Sequence, residues 1–157
     1  MSEIKNNSNI IMSIYDMIEL IYLFMAKAHE KDLAPVDYGT GEKYTSMEAH
    51  TVTMVHLNPG ITAKEISTKT ARSQSSLSWM TSKLVEKGLL KAEKDTEDSR
   101  KIHLYVTEKG KELSINHMKY DTGRIGPRMD VLVEEFGSDA VNNFLQVLDR
   151  FTELLDN

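Results

Sequence analysis

Two capping-box signatures, Thr45-Ser-Met-Glu48 and Thr62-Ala-Lys-Glu65, flank the breaker Asn58-Pro59-Gly60 and constrain this chain most. In each box the Thr hydroxyl and the Glu carboxylate satisfy orphan amides at a helix start. The first helix is expected from Ser46 to Leu57, because a Pro-Gly pair cannot continue it. The second opens the short run TAKEISTKTA. Ser73 then reads as a further N-cap, opening QSSLSWMTSKLVEKG, whose buried stripe is Leu77, Met80 or Thr81, Leu84 and Val85. Gly88 is its natural stop, since glycine accepts a left-handed backbone. Two short helices in succession, the second with a small polar outer face, make a helix-turn-helix.

LLKAEK and KIHLYV next flank the turn DTEDSR. Ile102, Leu104 and Val106 alternate with Lys101, His103 and Tyr105, which predicts a two-stranded hairpin with one dry face. Thr107 caps a following helix that is expected to break at DTGRIGP and to restart near Pro127. Ser138 is expected to cap the last helix, with Val141, Phe144, Leu145, Leu148, Phe151, Leu154 and Leu155 as its apolar set. At the other end, Ile10, Ile14, Met17, Ile18, Ile21, Met25 and Ala28 recur at helical spacing, and Ile11, Leu20, Leu23 and Phe24 add a second face. A helix apolar on two sides is buried or meets a partner chain.

The 157 residues suit one domain, or one domain with extensions. The chain has no cysteine, which excludes disulfides and thiolate metal sites. No apolar run suggests a membrane span, and MSEIKNNSNI lacks the apolar core of a signal peptide, so a cytoplasmic protein is expected. The formal net charge of −5 conceals an asymmetry. Residues 60–112 hold eleven basic and eight acidic side chains, a local +3, so the remainder carries −8. A basic middle between acidic flanks suits a nucleic-acid-binding module in an acidic scaffold. Catalytic signatures are missing: no Gly-rich phosphate loop, no Gly-x-Ser-x-Gly elbow and no His-Glu-x-x-His run occurs.

In this order, the elements resemble the MarR family of winged-helix transcription regulators. The residues that carry the resemblance are NPGITAKEIS, SQSSLSWMTSKLVEKGLL and above all DTEDSRKIHLYVTEKG. The resemblance implies a mostly α fold with a small β-hairpin wing. It also implies dimerisation through helices at both termini (1–35 and 109–157) around a DNA-binding lobe at 45–108. The implied partner is double-stranded DNA with a near-palindromic site, bound by a homodimer whose reading helices lie about one turn apart.

On the reading helix the outward candidates are Ser73, Gln74, Ser75, Ser78, Trp79 and Ser82, with Lys83 placed for phosphate. Gln can pair bidentately with adenine and Ser accommodates several partners. Asp98 and Arg100 match the family's Asp-x-Arg, in which the Asp braces an Arg that enters the minor groove, and Lys101 meets phosphate. Trp79 stands where relatives commonly carry a basic residue, Ser99 where many carry a second one, and Thr96 where many carry Pro. The Trp79 ring has two readings: contact with a thymine methyl or sugar, or packing against the wing. The resemblance further implies a small aromatic or anionic effector. Some relatives sense metal instead. Here His117 and Asp121, four apart on one helix, with His50 nearby and His29 and Glu30 ending the first helix, form a zinc-type candidate set. A winged helix used only for protein contacts is the remaining alternative.

Overall fold

The computed structural model describes residues 13–32, 34–98 and 100–155. Ile10, Ile11 and Ser99 lie outside that set, as do the side chains from Ala28 to Asp32, including His29 and Glu30. The elements in chain order are α1 (Ile14–Asp32), β1 (Val36–Asp37), β2 (Lys43–Tyr44), α2 (Ser46–Leu57), α3 (Ala63–Thr70), α4 (Gln74–Glu86), β3 (Leu90–Lys94), β4 (Ile102–Val106), α5 (Glu108–Phe136) and α6 (Ser138–Leu154). The architecture is mostly helical, with a small antiparallel wing of β3 and β4.

Both capping boxes form. Thr45 and Glu48 bond reciprocally at the start of α2, and Thr62 and Glu65 do so at the start of α3. Ser73 accepts from the Ser76 amide to open α4, and Thr107 accepts from the Gly110 amide to open α5. Gly88 follows α4 at φ +69°, the left-handed conformation that a terminating glycine supplies. The core gathers inside this lobe, where Tyr44, Val52, Val55, Ile66, Leu77, Leu84, Leu89 and Leu113 are fully buried. Leu77 and Leu84 come from the expected stripe of α4, joined by both Met80 and Thr81, while Val85 is partly buried.

Three expectations need correction. The helix from Thr107 does not break at DTGRIGP: α5 runs unbroken from Glu108 to Phe136 with Pro127 inside it. Proline lacks the amide that would bond residue 123, and its ring crowds the preceding turn. Residues 123 and 126, on the turn before it, are glycines, and a side chain at either would meet no other element. Ser138 does not cap α6; Gly137 takes that position at φ +82°, without a side-chain hydrogen bond. The wing's dry face is narrower than alternation predicts, since Leu104 is buried but Ile102 stays 47% exposed next to the hairpin's turn. The connection around Gly39 and Gly41 contains a small ladder, β1 with β2, turned by Asp37, whose carboxylate accepts from the amides of Gly39, Thr40 and Gly41.

α1 and α6 bury little. Ile14, Leu20, Leu23, Phe24 and Met25 of α1 are exposed, as are Phe144, Leu145, Leu148 and Leu154 of α6, where Val141 alone of the described side chains is buried. Among the described residues no helix is long and apolar enough to cross a membrane.

Candidate nucleic-acid interface

The turn between α3 and α4 sets the angle of α4. Ala71 sits there at φ +51°, a left-handed backbone that costs a non-glycine residue about 1–2 kcal/mol. The Ser67 hydroxyl and carbonyl hold the turn by bonding the Arg72 carbonyl and amide. From this turn α4 presents Gln74, Ser75, Ser78, Trp79 and Ser82 to solvent, with Ser73 exposed at its cap. Ser82 is partly spoken for, since its hydroxyl donates to the Ser78 carbonyl at 2.9 Å.

The wing meets α4 across one cleft of about 530 Å³, lined by Gln74 and Ser78 on one side and Arg100 and Lys101 on the other. Asp98 Oδ1 accepts from Arg100 Nε and from the Arg100 amide, each at 3.1 Å. The Arg100 guanidinium bond holds the Asp98 carboxyl below its ordinary value. The Arg100 side chain is nonetheless 90% exposed, so the brace aims it without hiding it. Asp95 Oδ1 accepts from the Glu97 and Asp98 amides, which shapes the turn in the manner of an Asx motif.

Trp79 does not pack on the wing. Its ring is 63% exposed and lines a second cleft, of about 860 Å³, with the start of α2, Arg72 and Lys83. Lys83 is likewise committed on that side: its Nζ lies 5.2 Å from the Trp79 ring centroid and 3.3 Å from Glu48 Oε1. Lys87 reaches the same carboxylate at 2.7 Å and stands over the Tyr44 ring. Glu48 was legible as a capping residue, but its tie to α4 had no sequence signal. His103 also escaped the sequence reading: its ring joins the wing turn to the segment after α2.

Of the zinc-type candidates, His50, His117 and Asp121 have described side chains, while those of His29 and Glu30 lie outside the described set. His117 is buried, with Nδ1 3.1 Å from Thr53 Oγ1 and Nε2 3.3 Å from Asp121 Oδ2. Burial pushes its pKa below the ordinary histidine value, against the pull of Asp121. His50 approaches only edge-on, with ring centroids 6.2 Å apart. Among the described residues no three His, Cys, Asp or Glu side chains gather to hold an ion.

Comparison with known proteins agrees with this architecture. The MarR family model matches residues 44–102, from β2 to the first residue of β4. No curated protein matches the sequence. Among solved structures, the transcriptional regulator SlyA is similar with a TM-score of 0.72 at 17% identity, covering 89% of this chain and 94% of that one. Lactococcus lactis ZitR in complex with DNA gives 0.67 at 20% identity, covering 92% and 99%. Streptococcus pneumoniae FabT in complex with DNA gives 0.66 at 16% identity, covering 90% and 97%. At these identities the structural likeness establishes the fold, and the stretch holding the helix-turn-helix and the first strand of the wing is the part that matches the MarR family model.

Proposed function

We propose that the protein is a transcriptional regulator that binds double-stranded DNA in a sequence-specific manner as a homodimer. The observation that carries this reading is the single cleft joining Gln74 and Ser78 of α4 to Arg100 and Lys101 of the wing. A short polar helix face suits the major groove, where each base pair offers a distinct pattern of donors and acceptors. An exposed Arg on a braced turn suits the neighbouring minor groove, whose narrow form concentrates negative potential. Two of the similar structures, ZitR and FabT, are complexes with DNA, which supports the same use of the fold here.

In this reading Gln74, Ser75, Ser78 and Ser82 face base edges, with Ser73 at the helix start, and Lys101 meets phosphate. Trp79, the sole tryptophan, presses on a sugar or a thymine methyl. Lys83, bonded to Glu48, positions α4 more than it neutralises phosphate. The exposed apolar faces of α1 and α6 form the two-fold contact. The mode of action is repression, relieved by a small aromatic or anionic effector; the cleft beside Trp79, with Arg72 and Lys83 at hand, has room for one.

The test is a selection from random duplexes followed by titration of Trp79 emission with the recovered sequence and a shuffled control. A palindromic winner, a saturable emission change and weakening by salt are expected. Recovery of no preferred sequence would leave the fold serving protein contacts instead.

A further inference from the structure

His103 sits mid-strand in β4, across the ladder from Glu93. Its Nδ1 lies 2.7 Å from the Gly60 carbonyl oxygen and its Nε2 2.7 Å from Asp95 Oδ2. A carbonyl oxygen and an ionised carboxylate can only accept. A neutral imidazole has one N–H, so it satisfies one of these contacts and sets a lone pair against the other. The imidazolium donates at both ends. A proton placed on Asp95 would also connect the three groups, but the other oxygen of that carboxylate already accepts from two amides, at 2.8 and 2.9 Å. Those bonds favour charge on Asp95 and hence on the ring.

The contact has mechanical consequences. Gly60, at φ +85°, follows α2, and its amide donates to the Leu104 carbonyl while the Leu104 amide donates to Ile61. Strand β4 is thus docked on the segment between α2 and α3. His103 extends that docking outward to Asp95, where the wing turn begins and from which Asp98 and Arg100 project. The charged groups around the ring are Lys64 and Glu65 of α3 and Glu93, Asp95, Arg100 and Lys101 of the wing. The Asp95 bond, then the Gly60 carbonyl, raise the His103 pKa above its ordinary value, with Glu65 adding to the effect and burial opposing it.

We propose that His103 is the positioning residue of the wing: as an imidazolium it clamps Asp95 to the segment after α2, so Arg100 is held for DNA at neutral pH and released at alkaline pH. This rests on the reading of the protein as a DNA-binding regulator. Duplex phosphate near Arg100 and Lys101 adds negative charge beside the ring and strengthens the clamp.

The experiment has two arms. In the free protein, long-range proton–nitrogen correlation spectra report the protonation of each imidazole nitrogen. Two imidazolium-type nitrogens for His103 are expected at neutral pH, converting to one tautomer at higher pH. Asp95→Asn should lower the pH of that conversion by roughly one unit or more. A neutral ring at pH 7 in the unaltered protein overturns the clamp. In the second arm, duplex affinity is measured from about pH 6.5 to 9 for the parent protein, His103→Gln and Asp95→Asn, each checked for folding by circular dichroism. The parent should lose about fivefold or more over this range, with His103→Gln flat and Asp95→Asn falling at lower pH. Parallel profiles for the parent and His103→Gln overturn the positioning role. If no selected duplex binds any variant at any pH, the DNA-binding reading falls, and the ring spectra alone decide whether the clamp exists.

Discussion

Lys87 Nζ lies 2.7 Å from Glu48 Oε1, and the Glu48 side chain is only 4% exposed. One carboxylate therefore closes the capping box of α2 and anchors the C-terminal half of the reading helix. A buried charge with a single partner would be costly, but this one has the Thr45 amide and two lysines. Burial alone would raise its pKa; the Lys87 bond, the Thr45 amide and Lys83 outweigh burial and hold it below 4.5.

Glu48→Gln should lower stability by about 1–3 kcal/mol in urea unfolding, toward the lower end because both lysines regain water. A depressed carboxyl contributes stability above its unfolded pKa and loses it as pH falls through the folded one. The parent's stability should therefore drop below about pH 4.5 by more than the variant's. Equal acid limbs in the two proteins would remove Glu48 from the account of α4.

Gly110, three residues after the Thr107 cap, sits where no side chain fits. A Cβ there would stand 2.0 Å from the Leu89 carbonyl oxygen, a backbone atom that cannot swing aside. Gly110→Ala should cost about 3 kcal/mol, by overpacking where α5 crosses the start of β3. Thermal unfolding checks this, and a variant within about 0.5 kcal/mol of the parent would contradict the crossing distance.

Arg100→Ala should separate folding from binding. The Arg100–Asp98 pair is exposed on the Arg side, and such pairs contribute about 0–1 kcal/mol to stability. Unfolding should barely change, whereas duplex affinity should fall roughly tenfold. Anisotropy with the selected duplex measures it; an unchanged constant takes the wing out of the interface.

Base-reading and phosphate-contacting residues should fail differently. Gln74→Ala and Ser78→Ala are expected to relax preference at particular positions, by about 1–3 kcal/mol for a base pair read bidentately. Lys101→Ala should weaken all duplexes alike and reduce the salt slope by about one. Affinity profiles over single-base variants at two salt concentrations distinguish these outcomes.

Phe144 is 61% exposed on α6 and Phe24 69% exposed on α1, apolar side chains that a second copy would cover on the homodimer reading. The double variant Phe24→Asp and Phe144→Asp should sediment as a monomer, while the parent sediments as a dimer. A monomeric parent would require another cover for those faces.

Local chemistry made much of this fold legible. The capping boxes placed α2 at Ser46–Leu57 and opened α3, because the bonds that start those helices lie within four residues. The polar face of α4 followed from helical spacing, and the Asp98–Arg100 brace lies within one turn. What escaped was set by tertiary neighbours. Pro127 argued for a break, yet α5 continues through it from Glu108 to Phe136. His103 alternated onto an outward strand position, and only the docking of Gly60 against β4 gives its ring two acceptors. Lys83 looked free for phosphate until α2 supplied Glu48. His117 and Asp121 met as their helical spacing predicts, while the Thr53 bond to the other His117 nitrogen came from a different helix.

The unbroken α5 makes the molecule a lever. Its 29 residues span roughly 43 Å from the root of the wing to the start of α6. A tilt of about 5° at the far end displaces the near end by roughly 4 Å, more than one base-pair step of 3.4 Å. In a two-fold assembly both halves would swing at once, so a small adjustment among the terminal helices would set whether two reading helices match successive turns of a duplex or miss them.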